Sequence, residues 1–265
     1  MAVALPLTAR ARPVVVYLLV VLVGMVAFLY PFWLPGSTSP SRAHSTDAPL
    51  LAAIVGALVV AAVTLELQRG TMRGATVALL GMLSAGVGLL RLLDLPGGGN
   101  AMFFLLVLAG AAFGPRFGML LGLCGMATSA VLTGGIGPWL PFQMLTLAWM
   151  GGGAGLVGRA VAGRPPRVEV AVLAVYGWVW GFVYGGIMNL QFWPLVRDGG
   201  PLSWSPGLGF DGTLQRYWSF YVATSLAWDA AGAFVNAVLV AVTGRAVLRG
   251  MRRVAHRLEP VVDLA

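Results

Sequence analysis

VVVYLLVVLVGMVAFLYPFWL, residues 14–34, runs 21 residues without a charged side chain. At about 1.5 Å rise per residue an α-helix of this length spans about 30 Å, the thickness of a bilayer's hydrocarbon core. A backbone in lipid must satisfy its own N–H and C=O groups, which selects helix over any open strand. The run is too long for the apolar core of a signal peptide, and no small-residue cleavage site follows it. It is therefore expected to stay in the protein as a membrane span.

Seven further apolar runs follow: Pro49–Leu67, Gly74–Leu93, Ala101–Gly114, Phe117–Thr133, Leu140–Val157, Val168–Gln191 and Trp218–Thr243. Together they predict an all-α, polytopic integral membrane bundle of about eight transmembrane helices. The run at Ala101–Gly114 is short, which suits either a tilted span or a half-helix. Composition agrees: 58% of residues are hydrophobic and 10% charged, with mean hydropathy +0.86. A soluble domain carries about 25% charged residues, so this chain cannot cover a water-exposed surface. Its 37 glycines suit helices that approach one another closely.

All 17 basic residues are arginine. With the N-terminus in the cytoplasm, that side holds Arg10, Arg12, Arg69, Arg73, Arg116, Arg159, Arg164, Arg167, Arg245, Arg249, Arg252, Arg253 and Arg257. The outer side then holds only Arg42, Arg91, Arg197 and Arg216. This asymmetry obeys the positive-inside rule and predicts a multi-pass protein of the cell inner membrane with both termini cytoplasmic. It also accounts for the net charge of +8 without a nucleic-acid partner, since no stretch interleaves arginines with aromatics on a soluble face.

Catalytic chemistry has little to stand on. No Ser/His/Asp set, paired carboxylates or metal-ligand spacing occurs in the spans, so no enzyme activity and no catalytic residue is expected. Cys124 is the single cysteine and lies in an apolar run, where it reads as a small buried residue. His44 and His256 stand at opposite ends of the chain, so neither metal nor cofactor is expected.

What remains is a ring of polar groups toward the outer side. Arg91 and Asp94 end the third run three residues apart and can share a face. Gln143 opens the sixth run, and Asn189 and Gln191 close the seventh. Asp229 lies inside the eighth, with Asn236 seven residues on and so on the same helical face. An ionisable residue within a span marks a functional site; the competing reading for Asp229 is a structural partner such as Arg91. Asn236, Thr128 and Ser129 read as hydrogen bonds between helices. Trp139, Trp180, Tyr184 and Trp193 at similar depth would give such a site the aromatic lining common to small-molecule pockets. The long outer segment Trp193–Tyr217 reads either as an interfacial aromatic belt or as a lid. Small residues recur at four-residue spacing: Ala53, Ala57 and Ala61; Gly74 and Ala78; Gly81 and Ala85; Gly151 and Gly155. Such stripes pack helices within one protein or against a partner.

A resemblance sharpens this. Phe113-Gly114-Pro115-Arg116-Phe117-Gly118, then Gly122, then Thr133-Gly134-Gly135-Ile136-Gly137-Pro138-Trp139-Leu140-Pro141-Phe142-Gln143-Met144, with Gly151, Gly155 and Arg159, resemble the substrate-binding S components of energy-coupling factor (ECF) transporters. Tyr184-Gly185-Gly186, Asn189, Trp193-Pro194 and Trp228-Asp229 are similar to actinobacterial members. The likeness implies an N-terminal extension with two helices over 1–73, a six-helix S-component core over 74–257 and a tail over 258–265. It implies capture of a vitamin, precursor or other micronutrient from the outer side, under the loops at Asp94–Asn100, Gly134–Pro141 and Trp193–Tyr217. It implies docking on a transmembrane coupling protein that carries two ATP-binding subunits, and the chain has no GxxxxGK[ST] loop of its own. In the family an Ala-xxx-Ala stripe on the first core helix docks the partner. Gly74, Ala78, Gly81 and Ala85 occupy that place here, while the alanine pattern itself stands one helix earlier at Ala53, Ala57 and Ala61.

On this reading Arg91 or Asp229 is the charged contact, with Asp94 beside Arg91. Gln143 and Asn189 are neutral hydrogen-bonding partners, and Trp139, Tyr184 and Trp193 offer stacking surfaces. Many aromatics and few charges favour a flat uncharged heterocycle or a corrinoid-like molecule. A second reading is a membrane assembly or accessory protein with no ligand of its own; it expects the outer polar groups to pair internally.

Overall fold

Glycine decides how closely the central helices approach. In the computed structural model, which describes residues 7–33, 44, 46–93, 101–195 and 199–258, α5 (Pro115–Thr133) and α6 (Leu140–Ala160) form the most intimate pair. A methyl group on Gly118 would lie 2.1 Å from the Gly151 carbonyl oxygen, and one on Gly151 would lie 2.1 Å from that of Gly118. Gly122 sits against the Leu147 carbonyl and Gly155 against Pro115 in the same way. No residue with a Cβ permits this backbone-to-backbone contact.

The same device joins α7 (Pro166–Leu190) to α9 (Leu226–Leu258), the two helices running antiparallel. Asn189 meets Ser225, Gly185 meets Asp229, Gly181 meets Ala233 and Gly177 meets Val240, a four-residue rhythm along α7. The basic end of this pair is closed by a bidentate ion pair from Arg252 to Glu169.

The remaining elements are α1 (Leu7–Leu29), a 3-10 turn Tyr30–Trp33, α2 (Ala48–Gln68), α3 (Gly74–Leu90), α4 (Met102–Phe113) and α8 (Gly209–Thr224). Among the described residues every regular element is helical. Five helices among the described residues are long and apolar enough to cross a membrane by length and composition: α1 with its 3-10 turn, α2, α5, α7 and α9. The 21-residue α6 has the length but is diluted by its glycines and Gln143. The protein is an all-α membrane bundle.

One of the expected runs differs in the structure. The expected Trp218–Thr243 span is two helices, because the chain bends at Ser225, where Asn189 Nδ2 donates to the Ser225 hydroxyl at 2.7 Å. The i to i−4 backbone bonds continue on both sides of Ser225, so α9 follows α8 with no loop between them. Asp229 accordingly lies in the first turn of α9, not three turns into a span. The short Ala101–Gly114 run forms α4, whose 12 residues cover about 18 Å. Its start is set by a neighbour: the Phe104 N–H donates to Asn236 Oδ1 at 2.8 Å, and Asn236 is ten residues into α9. A side chain from another helix thus satisfies one of the orphan donors of α4's first turn.

α1 and α2 form a hairpin fastened to the core at three levels. At the middle, Gly24 and Phe28 seat on Trp149 and Phe142 of α6, with the Phe28–Phe142 ring centroids 5.3 Å apart. At the basic end the fully buried Glu66 of α2 accepts a 3.1 Å hydrogen bond from the Tyr17 hydroxyl and lies 3.7 Å from the Arg116 guanidinium. At the opposite end stands His44, in the left-handed region at φ 62°. Its Nε2 donates to the Gln191 carbonyl at 2.5 Å, and its Nδ1 lies 2.7 Å from both the Tyr30 hydroxyl and Asp47. Burial pushes the imidazole below its ordinary pKa and pushes the Asp47 carboxyl up, so both groups favour their uncharged forms.

Candidate functional site

Four elements bring polar side chains to one place at the end of the bundle opposite the arginine-rich turns. Arg91 follows the last turn of α3, Gln143 sits in the first turn of α6, Tyr184 is on α7 and Asp229 is in the first turn of α9. Tyr184 lies beside Gln143 and within electrostatic reach of both Arg91 and Asp229. Its ring packs on Phe103 with centroids 4.9 Å apart. Phe103 belongs to the first turn of the short α4, so the place where that helix starts determines the floor of the cluster.

The polar atoms here are poorly matched to one another. Asp229 Oδ2 and Gln143 Oε1 are buried with no hydrogen-bond partner among the described residues. Arg91 turns its Nη1 toward Ser129 Oγ at 3.3 Å and Met126 Sδ at 3.7 Å, both on α5. The ion pair of the competing reading, Arg91–Asp229, is not formed: the arginine–carboxylate pairs among the described residues are Arg116–Glu66 and Arg252–Glu169. Buried polar atoms in folded proteins are as a rule satisfied, so each exception asks for an explanation.

Tyr217 and Tyr221 of α8 complete the surroundings of Asp229. The Tyr217 hydroxyl donates to the Gly186 carbonyl, and the Tyr221 hydroxyl makes a longer bond of 3.4 Å to that of Phe182. Gly185 is what lets the carboxylate lie flat on α7, since any Cβ there would overlap it.

The other expected site residues have different surroundings. Asn189 is buried and holds Ser225 at the α8–α9 bend. Trp193 is 2% exposed, donates its indole N–H to the Leu202 carbonyl at 2.8 Å and packs against Phe32, Tyr217 and Phe220. These rings, with Trp204 on Phe32, form an aromatic cap over this end of the bundle. Trp139 is 46% exposed and folds its ring over Gly137 at the rim. Asp94 lies outside the described residues, as does the segment 94–100. Of the small-residue stripes, Ala53 and Ala57 on α2 and Gly74, Ala78 and Gly81 on α3 are exposed, with Ala61 and Ala85 half-buried. Gly74 and Gly81 have open space where a Cβ would be, whereas Gly151 and Gly155 are consumed by the α5–α6 contact.

Phe103 and Tyr221 were not anticipated, and Tyr217 only as the end of the outer segment Trp193–Tyr217. A signal for the two tyrosines exists: Tyr217, Tyr221, Ser225 and Asp229 recur every four residues and so form one helical stripe.

Fold and cluster together define a polytopic membrane protein with a group of polar side chains gathered at one end of its bundle. Residues 75–243 match the family described as ECF transporter, substrate-specific component, and the chain belongs to that family. No curated protein and no solved structure matches the chain. Family membership makes this protein the substrate-binding component of an ECF importer, a membrane transport protein whose partners are the ECF coupling and ATP-binding components.

Proposed function

We propose that this protein captures a vitamin or related micronutrient on the outer side of the cell membrane, in the space bordered by Arg91, Gln143, Tyr184 and Asp229. The observation that carries this is the pair of buried, unpartnered oxygens, Asp229 Oδ2 and Gln143 Oε1, both near Tyr184. A ligand would satisfy both, and Phe103 beneath Tyr184 offers a face for a flat heterocycle. The reading without a ligand expects these groups to pair with one another, and Arg91 and Asp229 do not. In this assignment Asn189, Trp193 and Trp139 build the walls, Asn189 by holding the α8–α9 bend and the two tryptophans as cap and rim.

Orientation follows the arginines: the turns holding Arg69, Arg73, Arg116, Arg159, Arg164 and Arg167, with the arginine-rich end of α9, face the cytoplasm. The exposed Gly74, Ala78 and Gly81 of α3 are the surface for the coupling protein, with the Ala53 and Ala57 face of α2 as the competing candidate. Mass spectrometry of small molecules retained through purification tests the capture site. One molecule should be enriched with wild type and lost from Asp229→Ala and Gln143→Ala. No enriched molecule, or one retained equally by both variants, sinks the assignment.

A further inference from the structure

The groups around Tyr184 are lopsided in their hydrogen-bonding character. Asp229 Oδ2 and Gln143 Oε1, the two orphaned atoms, are both acceptors. Tyr217, which borders the carboxylate, has committed its hydrogen to the Gly186 carbonyl and presents only lone pairs. Tyr221, with its long bond to Phe182, can turn toward Asp229, and Tyr184 stands beside Gln143, but two hydroxyl hydrogens cannot serve two carboxylate oxygens and an amide oxygen. Arg91, the one cation of the group, has its Nη1 directed to α5. Gly185 has no Cβ to hold the carboxylate off, so Asp229 lies against α7 with Oδ2 the atom nearest to it.

We propose that the molecule held here meets Asp229 Oδ2 and Gln143 Oε1 with paired N–H donors, as a protonated amine, an amidine or an amino-substituted flat ring does. The ring plane lies against Tyr184 and Phe103. This rests on reading the cluster as the capture site. An ionised carboxylate accepts from N–H pairs in its own plane, and a positive donor strengthens each bond. An anionic ligand would set like charge against Asp229 and leave both orphaned acceptors unmet.

Three isosteric probes separate the cases: benzamidine, benzamide and benzoate, titrated calorimetrically against the full chain in lipid nanodiscs at neutral pH. Benzamidine is expected to bind at least about tenfold more tightly than benzoate. Asp229→Asn, which keeps the shape of the side chain, should weaken benzamidine about tenfold and leave benzamide unchanged; Gln143→Leu should weaken both. Benzoate binding as tightly as benzamidine, or benzamidine indifferent to Asp229→Asn, overturns the donor class. So does failure of all three to bind, and the wild-type ranking alone decides if Asp229→Asn does not fold. Tyr184→Leu tells the two failures apart. Probes that lose affinity in Tyr184→Leu without a preference among them leave the site standing and remove only the donor class. Binding untouched by Tyr184→Leu removes both.

Discussion

A methyl group added to Gly185 would test the site at its most confined point. Its Cβ would lie 1.8 Å from Asp229 Oδ2 and 2.3 Å from the carboxyl carbon. Since real Cβ contacts essentially never fall below 3.0 Å, the carboxylate must retreat by about 1.2 Å. A hydrogen bond of ~2.8 Å stretched by that amount lies beyond ~3.5 Å and is lost. Losing one bond to a charged group costs about 1.5–3 kcal/mol, which raises Kd about 10–150-fold. The fold should survive Gly185→Ala, because the obstructing atoms end a side chain that can turn. Gly181→Ala, one turn away on the same face, is the control: its methyl would lie 2.5 Å from the Ala233 Cα and from its Cβ. There the α7 and α9 backbones must part, an overpacking cost of about 1–3 kcal/mol in stability. Thermal unfolding in detergent and binding isotherms for the molecule co-purified with wild type give both quantities for each variant. Wild-type affinity in Gly185→Ala, or the same profile for the two variants, would refute the reasoning.

Gly151→Ala should destabilise by about 1–3 kcal/mol, because its methyl meets the Gly118 carbonyl. Gly81→Ala, which faces open space, should be neutral or gain up to ~1 kcal/mol in helix propensity; thermal unfolding compares them. Asn236→Leu leaves the Phe104 N–H unpaired at a cost of about 1–3 kcal/mol, visible as faster hydrogen exchange in the first turn of α4. Glu66→Leu should cost about 3 kcal/mol by stranding Arg116 and Tyr17, and Glu66→Gln less, since the amide oxygen still accepts; unfolding midpoints report both. For His44, burial lowers the folded-state pKa below 6.5, so the unfolded chain takes up the proton first as pH falls. Its contribution is complete above 6.5 and declines as pH falls from there toward the folded-state value. Asp47 acts with the opposite sign in a window that opens upward from 3.8. Wild type should therefore lose stability between about pH 7.5 and 5.5 while His44→Gln stays flatter, as thermal unfolding at the two values will report.

Helix existence was legible because lipid enforces it: an apolar run of the right length has no alternative to internal hydrogen bonding. The expected boundaries of the first seven runs fall within a few residues of α1–α7, except that α1 begins at Leu7. Trp218–Thr243 failed because hydropathy does not sense a bend: Ser225 is unremarkable until Asn189, 36 residues earlier, reaches it. The cluster was half legible. Arg91, Gln143, Tyr184 and Asp229 could be picked out because charge and amide groups are conspicuous in an apolar chain. Trp193 and Asn189 were conspicuous for the same reason yet hold walls together, and chemistry alone does not separate contact from scaffold. The anchoring role of His44 was not legible, because a lone histidine has no pattern and its long-range partner, the Gln191 carbonyl, has no side-chain signature. Glu66 stands near the end of an apolar run, where hydropathy does not show that the fold buries it completely.

The hairpin's fastenings bear on how the protein can move. A pair of helices riveted at one rim through His44 and at the other through Glu66, with Phe28 wedged between, is tied to the core at both ends. Any rotation of the core sweeps the hairpin through lipid with it, so the swept outline is that of the whole bundle. α3, which packs on α4 and α5 and away from the hairpin, keeps its glycine-and-alanine flank clear of that added bulk. The hairpin is thus a fixed outrigger: it widens the body on one flank and leaves the other narrow enough for a neighbour to come close.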